Sequence, residues 1–203
     1  MQQELQEVLL NPEIAALVGR GSMFALSEGK GLVTHRDGDG RIAIYAALTL
    51  PEHWLTSSGI DLRDTEATKL WLLDYFSGWD DRLRALIAES DTEFLHRALY
   101  ALPTGHRWEH MSGVTLLGDA AHLMSPFAGE GANLAMLDAA ELAEAILAHP
   151  DDMERALATY EEASIPRSEA AATESASSII ISFRSDAPQG MLDLMTSRTQ
   201  QTR

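Results

Sequence analysis

The sequence contains no cysteine among its 203 residues. This absence excludes disulfide bonds, thiolate zinc sites and cysteine nucleophiles, and it fits a reducing cytoplasm. No uninterrupted apolar stretch reaches the roughly 18 residues that a membrane-spanning helix needs, and the first residues, MQQELQEVLL, lack the basic start of a secretion signal. We therefore expect a cytoplasmic protein that is neither exported nor inserted into a membrane.

Positive charge is scarce. The chain has 15 basic residues against 31 acidic ones, a formal net charge of −16, and Lys30 and Lys69 are its only lysines. Such a surface repels nucleic acid phosphates and anionic lipids, so we expect no nucleic acid partner. A hydrophobic fraction of 45% excludes a disordered polymer, and the length allows one substantial core or two small ones.

The full dinucleotide-binding fingerprint is also missing. Four G-x-G triplets begin at Gly19, Gly29, Gly38 and Gly129, and none has a third glycine at the required spacing. The seven histidines show no metal-ligand spacing, and the HRDGDG stretch lacks the distal glutamate of a calcium loop, so it is predicted to be a hairpin turn. We predict no metal site.

The N-terminal half of the sequence predicts a β-meander followed by helices. Residues 3–18 are expected to form a short helix or an irregular lead-in that Pro12 interrupts. Residues 22–50 predict three strands with a hairpin turn at 37–40, and a helical block with a break near Gly78 follows over about 65–88. The stretch EFLHRALYALP is predicted to be a strand that Pro103 stops. The core face of the third strand in the meander is predicted to be Ile42, Ile44, Ala46 and Leu48.

The C-terminal half predicts one strand and then helices. VTLLG at 114–118 is typical of a buried parallel strand. A helix is predicted from Gly131 to about Ala148, followed by a second helix that Pro166 interrupts or kinks. The tail over 185–203 is weakly patterned, and we expect it to be frayed at its end. On the first helix we expect an apolar side of Ala132, Met136, Ala139, Ala143, Ile146 and Leu147 and a solvated acidic edge of Asp138, Glu141 and Glu144. The predicted fold class is α/β (α+β).

The stretch GDAAHLMSPFAGEGAN, residues 118–133, carries the predicted ligand site. Asp119 directly follows the predicted strand, at the edge where open parallel sheets hold ligands, and its carboxylate suits a sugar or polyol hydroxyl. The Gly129 triplet leads into a helix, so the backbone N–H groups of Gly131, Ala132 and Asn133 are expected to face an anionic or electron-rich group. In the alternative interpretation of Asp119, its side chain caps a neighbouring turn. We expect His122 to be a packed or supporting histidine rather than an acid-base catalyst.

These residues follow one order: a predicted strand, then GDAAH, three residues, Pro, two residues, G-x-G and Asn. This order resembles the second flavin-binding motif of the single-component FAD-dependent monooxygenases, the para-hydroxybenzoate hydroxylase-like group. HLMSPFAGEG is similar to the branch that degrades tetracycline and so confers antibiotic resistance. The resemblance implies that Asp119 binds the ribityl region of FAD, that Pro126 and Phe127 lie beside the ring, and that the backbone from Gly129 to Asn133 faces its pyrimidine edge. The cofactor-binding residues implied are Gly118, Asp119, Pro126, Gly129, Gly131, Ala132 and Asn133.

In such enzymes NAD(P)H reduces FAD, and the reduced flavin uses O2 to hydroxylate a phenolic or polycyclic small molecule, so the resemblance implies no catalytic side chain. Tetracycline-like compounds are the leading expected substrate. In one interpretation, Ala43 and Tyr45 line the substrate cavity, and in the other they pack within a sheet. Phe127 is a further candidate for lining the substrate cavity.

The family's G-x-G-x-x-G segment has no counterpart here, and neither does its Asp-Gly motif. The chain therefore resembles a C-terminal part: a portion of a substrate-binding domain at 1–110, the closing segment of an incomplete Rossmann-like FAD-binding domain at 111–150, and a C-terminal helix and tail at 151–203. We expect weak or no FAD binding by this chain alone, and an N-terminal nucleotide-binding half or a dimer mate as partner. The alternative function is a non-catalytic truncated relative that binds or sequesters a small apolar ligand or associates with a partner chain.

Overall fold

The computed structural model describes residues 2–6, 12–90 and 93–201, with the backbone alone for 2–6 and 198–201. The chain divides into two compact units. One contains the residues up to Leu99 and those from Ser182 onward, and the other contains Tyr100–Ile181. No helix that the structure describes is both long and apolar enough to cross a membrane.

The first unit is built on an antiparallel sheet. Its strands are β1 (Gln2–Gln6), β2 (Ser22–Ser27), β3 (Lys30–Arg36), β4 (Ile42–Leu48) and β5 (Phe94–Arg97), in the spatial order β2-β3-β4-β1-β5. The N–H of Asp37 donates to the carbonyl of Arg41 at 2.8 Å and closes the β3–β4 hairpin. The predicted meander and its hairpin turn are confirmed.

Helices cover the apolar face of this sheet. They are α1 (Pro12–Val18), α2 (Trp54–Ser57), α3 (Thr65–Tyr75) and α4 (Asp81–Ala88). The side chain of Asp64 caps α3 through the N–H of Ala67, and Asp80 caps α4 through the N–H of Arg82. The predicted face of β4 is confirmed, since its four residues are buried in a core that also contains Leu72, Phe76, Leu86 and Ile87.

The N-terminal lead-in differs from its prediction. Residues 2–6 form β1, which pairs with both β4 and β5, and Pro12 begins α1 instead of interrupting a helix. Proline suits the first helical position because its missing N–H has no intrahelical acceptor there. β5 ends at Arg97, earlier than the predicted stop at Pro103, because Arg97 pairs with Gln2, the first residue of β1.

The second unit is mostly helical. It contains α5 (Asp119–His122), a 3₁₀ turn (Pro126–Ala128), α6 (Gly131–Ala148) and most of α7 (Met153–Phe183). The predicted bounds of α6 are confirmed, and α7 continues through Pro166. The weakly patterned tail contains a helix, α8 (Gln189–Gln201), in the first unit, where Met191 is buried. The very end of the chain, predicted to fray, lies outside the described residues.

VTLLG is not a strand. Its only ladder contact is an isolated bridge between Val114 and Met111, and residues 115–117 have no regular secondary structure. Side chains take the place of a neighbouring strand as hydrogen-bond partners: Tyr160 Oη donates to the Leu116 carbonyl, and Asp138 accepts from the Gly118 N–H. The mixed helix and sheet class is confirmed, and the described sheet is antiparallel throughout.

Candidate flavin site

The conformation of Gly118 directs the backbone into the GDAAH turn. Its φ of 59° and ψ of −140° lie in a region that residues with a Cβ avoid. A Cβ built on Gly118 would lie 3.4 Å from the Cβ of Ala135 on α6. The Gly118 carbonyl accepts from the N–H groups of Ala121 and His122, both at 2.9 Å, so this glycine begins α5.

An open cleft of about 720 Å³ lies between this turn and the start of α6. Six of the predicted cofactor-binding residues line it together with four residues that the sequence analysis did not select. The predicted ones are Gly118, Asp119, Pro126, Gly129, Gly131 and Ala132, and the additional ones are Leu117, Met124, Ser125 and Ala135. The structure therefore brings most of the sequence-predicted site together on one surface.

The two ends of the cleft differ in chemistry. At one end the exposed carboxylate of Asp119 offers acceptor oxygens. At the other end α6 begins without a side-chain cap at Glu130, so the N–H groups of its first turn point out of the helix as donors. Gly129 turns the chain into α6 with a left-handed φ of 73°. An acceptor for hydroxyls thus faces a set of donors for an electron-rich edge.

Asp138 lies behind the turn, and its position contradicts the predicted solvated edge of α6. It is fully buried, as are Leu134 and Ala145 on the same side of the helix, whereas Met136 is 66% and Leu147 80% exposed. A charged residue can occupy this side because hydrogen bonds satisfy it. Most of the residues predicted to form the apolar side of α6 lie on its exposed side in this chain.

Both carboxylate oxygens of Asp138 are bonded. Oδ2 accepts from the Gly118 N–H at 2.9 Å and lies 2.6 Å from Nε2 of His122, and Oδ1 accepts from Arg167 at 3.0 Å. Burial alone raises the pKa of Asp138, but the bonds from Gly118, His122 and Arg167 outweigh it and lower the pKa. Arg167 also bonds both oxygens of Glu141 at 2.7 Å.

His122 is a supporting histidine. It is 4% exposed, and its Nδ1 has no hydrogen-bond partner among the described residues. The His122 side chain also lines a small cavity of about 10 Å³, about the space of one water molecule. The interpretation of His122 as packed rather than catalytic agrees with this placement.

Helix α7 holds the other end of the turn. Ser175, which is 1% exposed, donates to the carbonyl of Ser125 at 2.7 Å, and the two hydroxyl oxygens lie 2.6 Å apart. Ser125 itself lines the cleft. The sequence analysis missed Asp138 and Ser175 because each is far along the chain from the motif it holds.

Four predicted residues lie elsewhere. Phe127 belongs to the 3₁₀ turn and Asn133 to the first turn of α6, and neither is among the residues that line the cleft. Ala43 and Tyr45 lie on β4 in the first unit, on the sheet face opposite its helical core. In the ladder they pair with His35 and Val33, respectively. Their substrate role stays a prediction.

Residues 103–175 match the family described as the FAD binding domain. Monooxygenase penA of Penicillium thymicola is 28% identical over 84% of this chain and 50% of its own length. HpxO of Klebsiella pneumoniae, solved with FAD and uric acid, has a TM-score of 0.74 at 22% identity and covers 97% of this chain and 47% of HpxO. The tetracycline destructase Tet(51) has a TM-score of 0.55 at 20% identity and covers 98% of this chain and 50% of that protein.

These two solved structures show that the chain shares their fold. The chain spans about half the length of penA, HpxO and Tet(51). The matched family segment includes the GDAAH turn, α6 and the residues of α7 that hold the turn.

Proposed function

We propose that this chain, which is similar to FAD-dependent monooxygenases, contributes one side of a flavin site in an enzyme of that kind. The cleft between the Gly118 turn and α6 carries the proposal. Its acceptor end and donor end suit the ribityl hydroxyls and the pyrimidine edge of a flavin, respectively.

The residues at the cleft fit FAD by their chemistry. Asp119 would accept hydrogen bonds from ribityl hydroxyls, and Pro126 would border the ring together with its neighbour Phe127. The backbone from Gly129 to Asn133 would donate to the pyrimidine edge, where a helix N-terminus stabilises negative charge. When bound, the flavin would supply the redox chemistry with O2, and this chain's part is to orient it.

The proposed domain assignment is based on the same similarity to FAD-dependent monooxygenases. We propose that residues 1–110 supply part of a substrate-binding domain, 111–150 the closing segment of the FAD-binding domain, and 151–203 a C-terminal helix and tail. A partner N-terminal nucleotide-binding half or a dimer mate would complete the enzyme. NAD(P)H is the proposed reductant. The cytoplasmic location stays a prediction.

The proposed substrate is a phenolic or polycyclic small molecule. Ala43 and Tyr45 would line its cavity from the outer face of β4. Tetracycline-like compounds are one candidate, supported by the fold shared with Tet(51), and uric acid is a second, supported by the fold shared with HpxO. One assay panel compares the two candidates.

The decisive experiment measures NADPH- and O2-dependent hydroxylation of tetracycline, uric acid and a simple phenol. FAD is supplied, and the chain is tested alone and together with an N-terminal nucleotide-binding half. We expect turnover only in the second arrangement. Binding of a substrate without turnover in either arrangement would contradict the enzyme and favour the alternative, a non-catalytic relative that sequesters a small apolar ligand or joins a partner chain.

Asp119 provides a direct test of the flavin contact. Asp119→Ala should weaken FAD binding about tenfold or more, since it removes a charged acceptor from the cofactor hydroxyls. Glu144→Ala is the matched control, because Glu144 is an exposed acid on α6 that does not line the cleft. Equal FAD affinities for the two variants, measured by titration, would contradict the assignment of Asp119.

A further inference from the structure

Asp138 is a buried charge that does not line the cleft, yet it bonds to the turn that does. Removing a carboxylate from water costs several kcal/mol, and a well-packed apolar residue often replaces such a group without loss of stability. An apolar side chain at this position would fill the space but could not accept the N–H of Gly118. What distinguishes the aspartate is therefore its bond to the turn.

That bond holds one of the two peptide units that flank Gly118, a residue with strained backbone angles. The Gly118 N–H, in the peptide unit before it, donates to Asp138 at 2.9 Å. The Gly118 carbonyl, in the peptide unit after it, accepts from the N–H groups of Ala121 and His122. With both peptide units held, Gly118 keeps its backbone angles, and the direction of the Asp119 carboxylate depends on that conformation.

Asp138 also lies on the helix that forms the opposite end of the cleft. It is seven residues from Gly131, which corresponds to about two turns of α6. A rigid helix thus connects the first-turn N–H donors to the side chain that holds the acceptor end. His122 bonds the same Asp138 oxygen that accepts from Gly118, and Arg167 donates to the other oxygen.

The geometry points to Asp138 as a positioning residue for the flavin cleft, holding the Gly118–Asp119 turn at a fixed distance and direction from the start of α6. This inference rests on the proposed function, because it assigns the turn to a flavin. It adds a residue outside the cleft on which flavin affinity depends.

The first experiment needs no cofactor. Hydrogen exchange and the proton shift of the Gly118 amide are measured by NMR on the 15N-labelled 203-residue chain. Asp138→Ala removes the acceptor and should speed Gly118 exchange about tenfold or more. Asp138→Asn keeps an acceptor without its charge and should give an intermediate rate and a smaller downfield shift.

Glu141→Gln is the matched control. Glu141, on α6, also accepts from Arg167, but its side chain bonds no residue of the turn in the described part of the chain. This variant should therefore change overall stability without altering the Gly118 amide. An unchanged Gly118 amide in Asp138→Asn, with the fold intact by circular dichroism, would overturn the inference. The Asn variant decides the question if Asp138→Ala does not fold.

The second experiment titrates FAD to millimolar concentration and follows the amides of Gly131 and Ala132. In wild type these two amide resonances should shift as FAD is added. Asp138→Asn should bind FAD at least about fivefold more weakly, and Glu141→Gln should bind FAD as tightly as wild type. If wild type alone does not respond, the titration is repeated with the N-terminal nucleotide-binding half added; no response there would contradict the proposed function, and Gly118 exchange would still decide the hold on the turn. Equal affinity in wild type and Asp138→Asn would overturn the positioning role.

Discussion

At the scale of single residues, the site depends on one glycine more than on any ionisable group. Gly118 combines a positive φ with a close approach to Ala135, so any side chain there meets both backbone strain and a neighbour. Gly131, at the start of α6, has neither restriction, since its φ is ordinary and a Cβ there would meet nothing within 4 Å. The two glycines of the motif therefore have different roles.

Gly118→Ala should lower the free energy of unfolding by about 1–3 kcal/mol, the cost of a residue forced into a sparsely populated backbone region. Gly131→Ala should be neutral or raise stability by up to about 1 kcal/mol, because alanine reduces the freedom of the unfolded chain. Urea denaturation followed by far-ultraviolet circular dichroism measures both. Similar losses in the two variants would show that the conformation of Gly118 is not the constraint.

At the scale of elements, α7 organises the second unit through its acidic residues. Residues 107–115 form a segment, here called the strap, that runs against this helix. Glu154 accepts from Ser112 and the Gly113 N–H, and Glu161 accepts from Trp108 and Thr115. His110 lies between the two glutamates, with Nδ1 2.7 Å from Glu161 and Nε2 3.2 Å from Glu154.

The stability of the strap should depend on pH through His110. Hydrogen bonds to Glu161 and then Glu154 raise the pKa of His110 above its ordinary value of 6.5. Because the folded-state pKa of His110 is raised, the stability that its protonated ring contributes is complete below about pH 6.5. That stability is lost as the pH rises through the folded-state pKa. The protection factors of the amides over residues 108–115, which correct for the intrinsic rise of exchange with pH, should therefore fall as the pH rises above about 6.5.

His110→Asn is the control for this titration. Asparagine keeps a polar side chain but has no charge to lose, so its strap should exchange at a rate with little added pH dependence over the same range. The ring resonances of His110 report the pKa directly in wild type. A pKa at or below 6.5, or the same pH profile in both proteins, would contradict the prediction.

Helix α6 shows why element bounds were easier to predict than element faces. Glycine and alanine at its start and a helix break near His149 determined where it begins and ends. Its apolar stripe pointed to the wrong side, because hydrogen bonds from Gly118, His122 and Arg167 allow Asp138 to be buried. Those partners are 16 to 29 residues away in the chain, beyond the reach of a periodicity argument.

At the scale of the whole molecule, the ten residues that line the cleft all come from positions 117–135. If the cleft holds FAD as proposed, these residues would contact the ring and the ribityl chain and no other part of the cofactor. The affinity of this chain for FAD should therefore come from that half of the cofactor.

We expect the 203-residue chain to be purified without stoichiometric yellow flavin and to bind FAD weakly. FMN should bind with an affinity within about tenfold of that of FAD, because both present the same ring and ribityl chain. ADP should leave the amides of Gly131 and Ala132 unmoved at the same concentration. Tight FAD binding, or competition by ADP, would show that this chain also holds the nucleotide end.

The sequence by itself determined the local features of this protein. Turn residues specified the β2–β3–β4 meander, and alternation specified the buried face of β4. The spacing from Gly118 to Asn133 specified a turn that leads into a helix, but the strand predicted before that turn is absent. Each of these depends on residues close together in the chain, where backbone geometry and side-chain period act directly.

Only the tertiary structure decided which distant residues hold that turn and how the chain before it is bonded. VTLLG has the composition of a strand, but a strand needs a neighbouring strand, and here side chains of α6 and α7 take up its polar groups. Asp138 and Ser175 reach the cleft only through packing. Burial of a charge depends on partners brought together in space, and local sequence pattern does not contain that information.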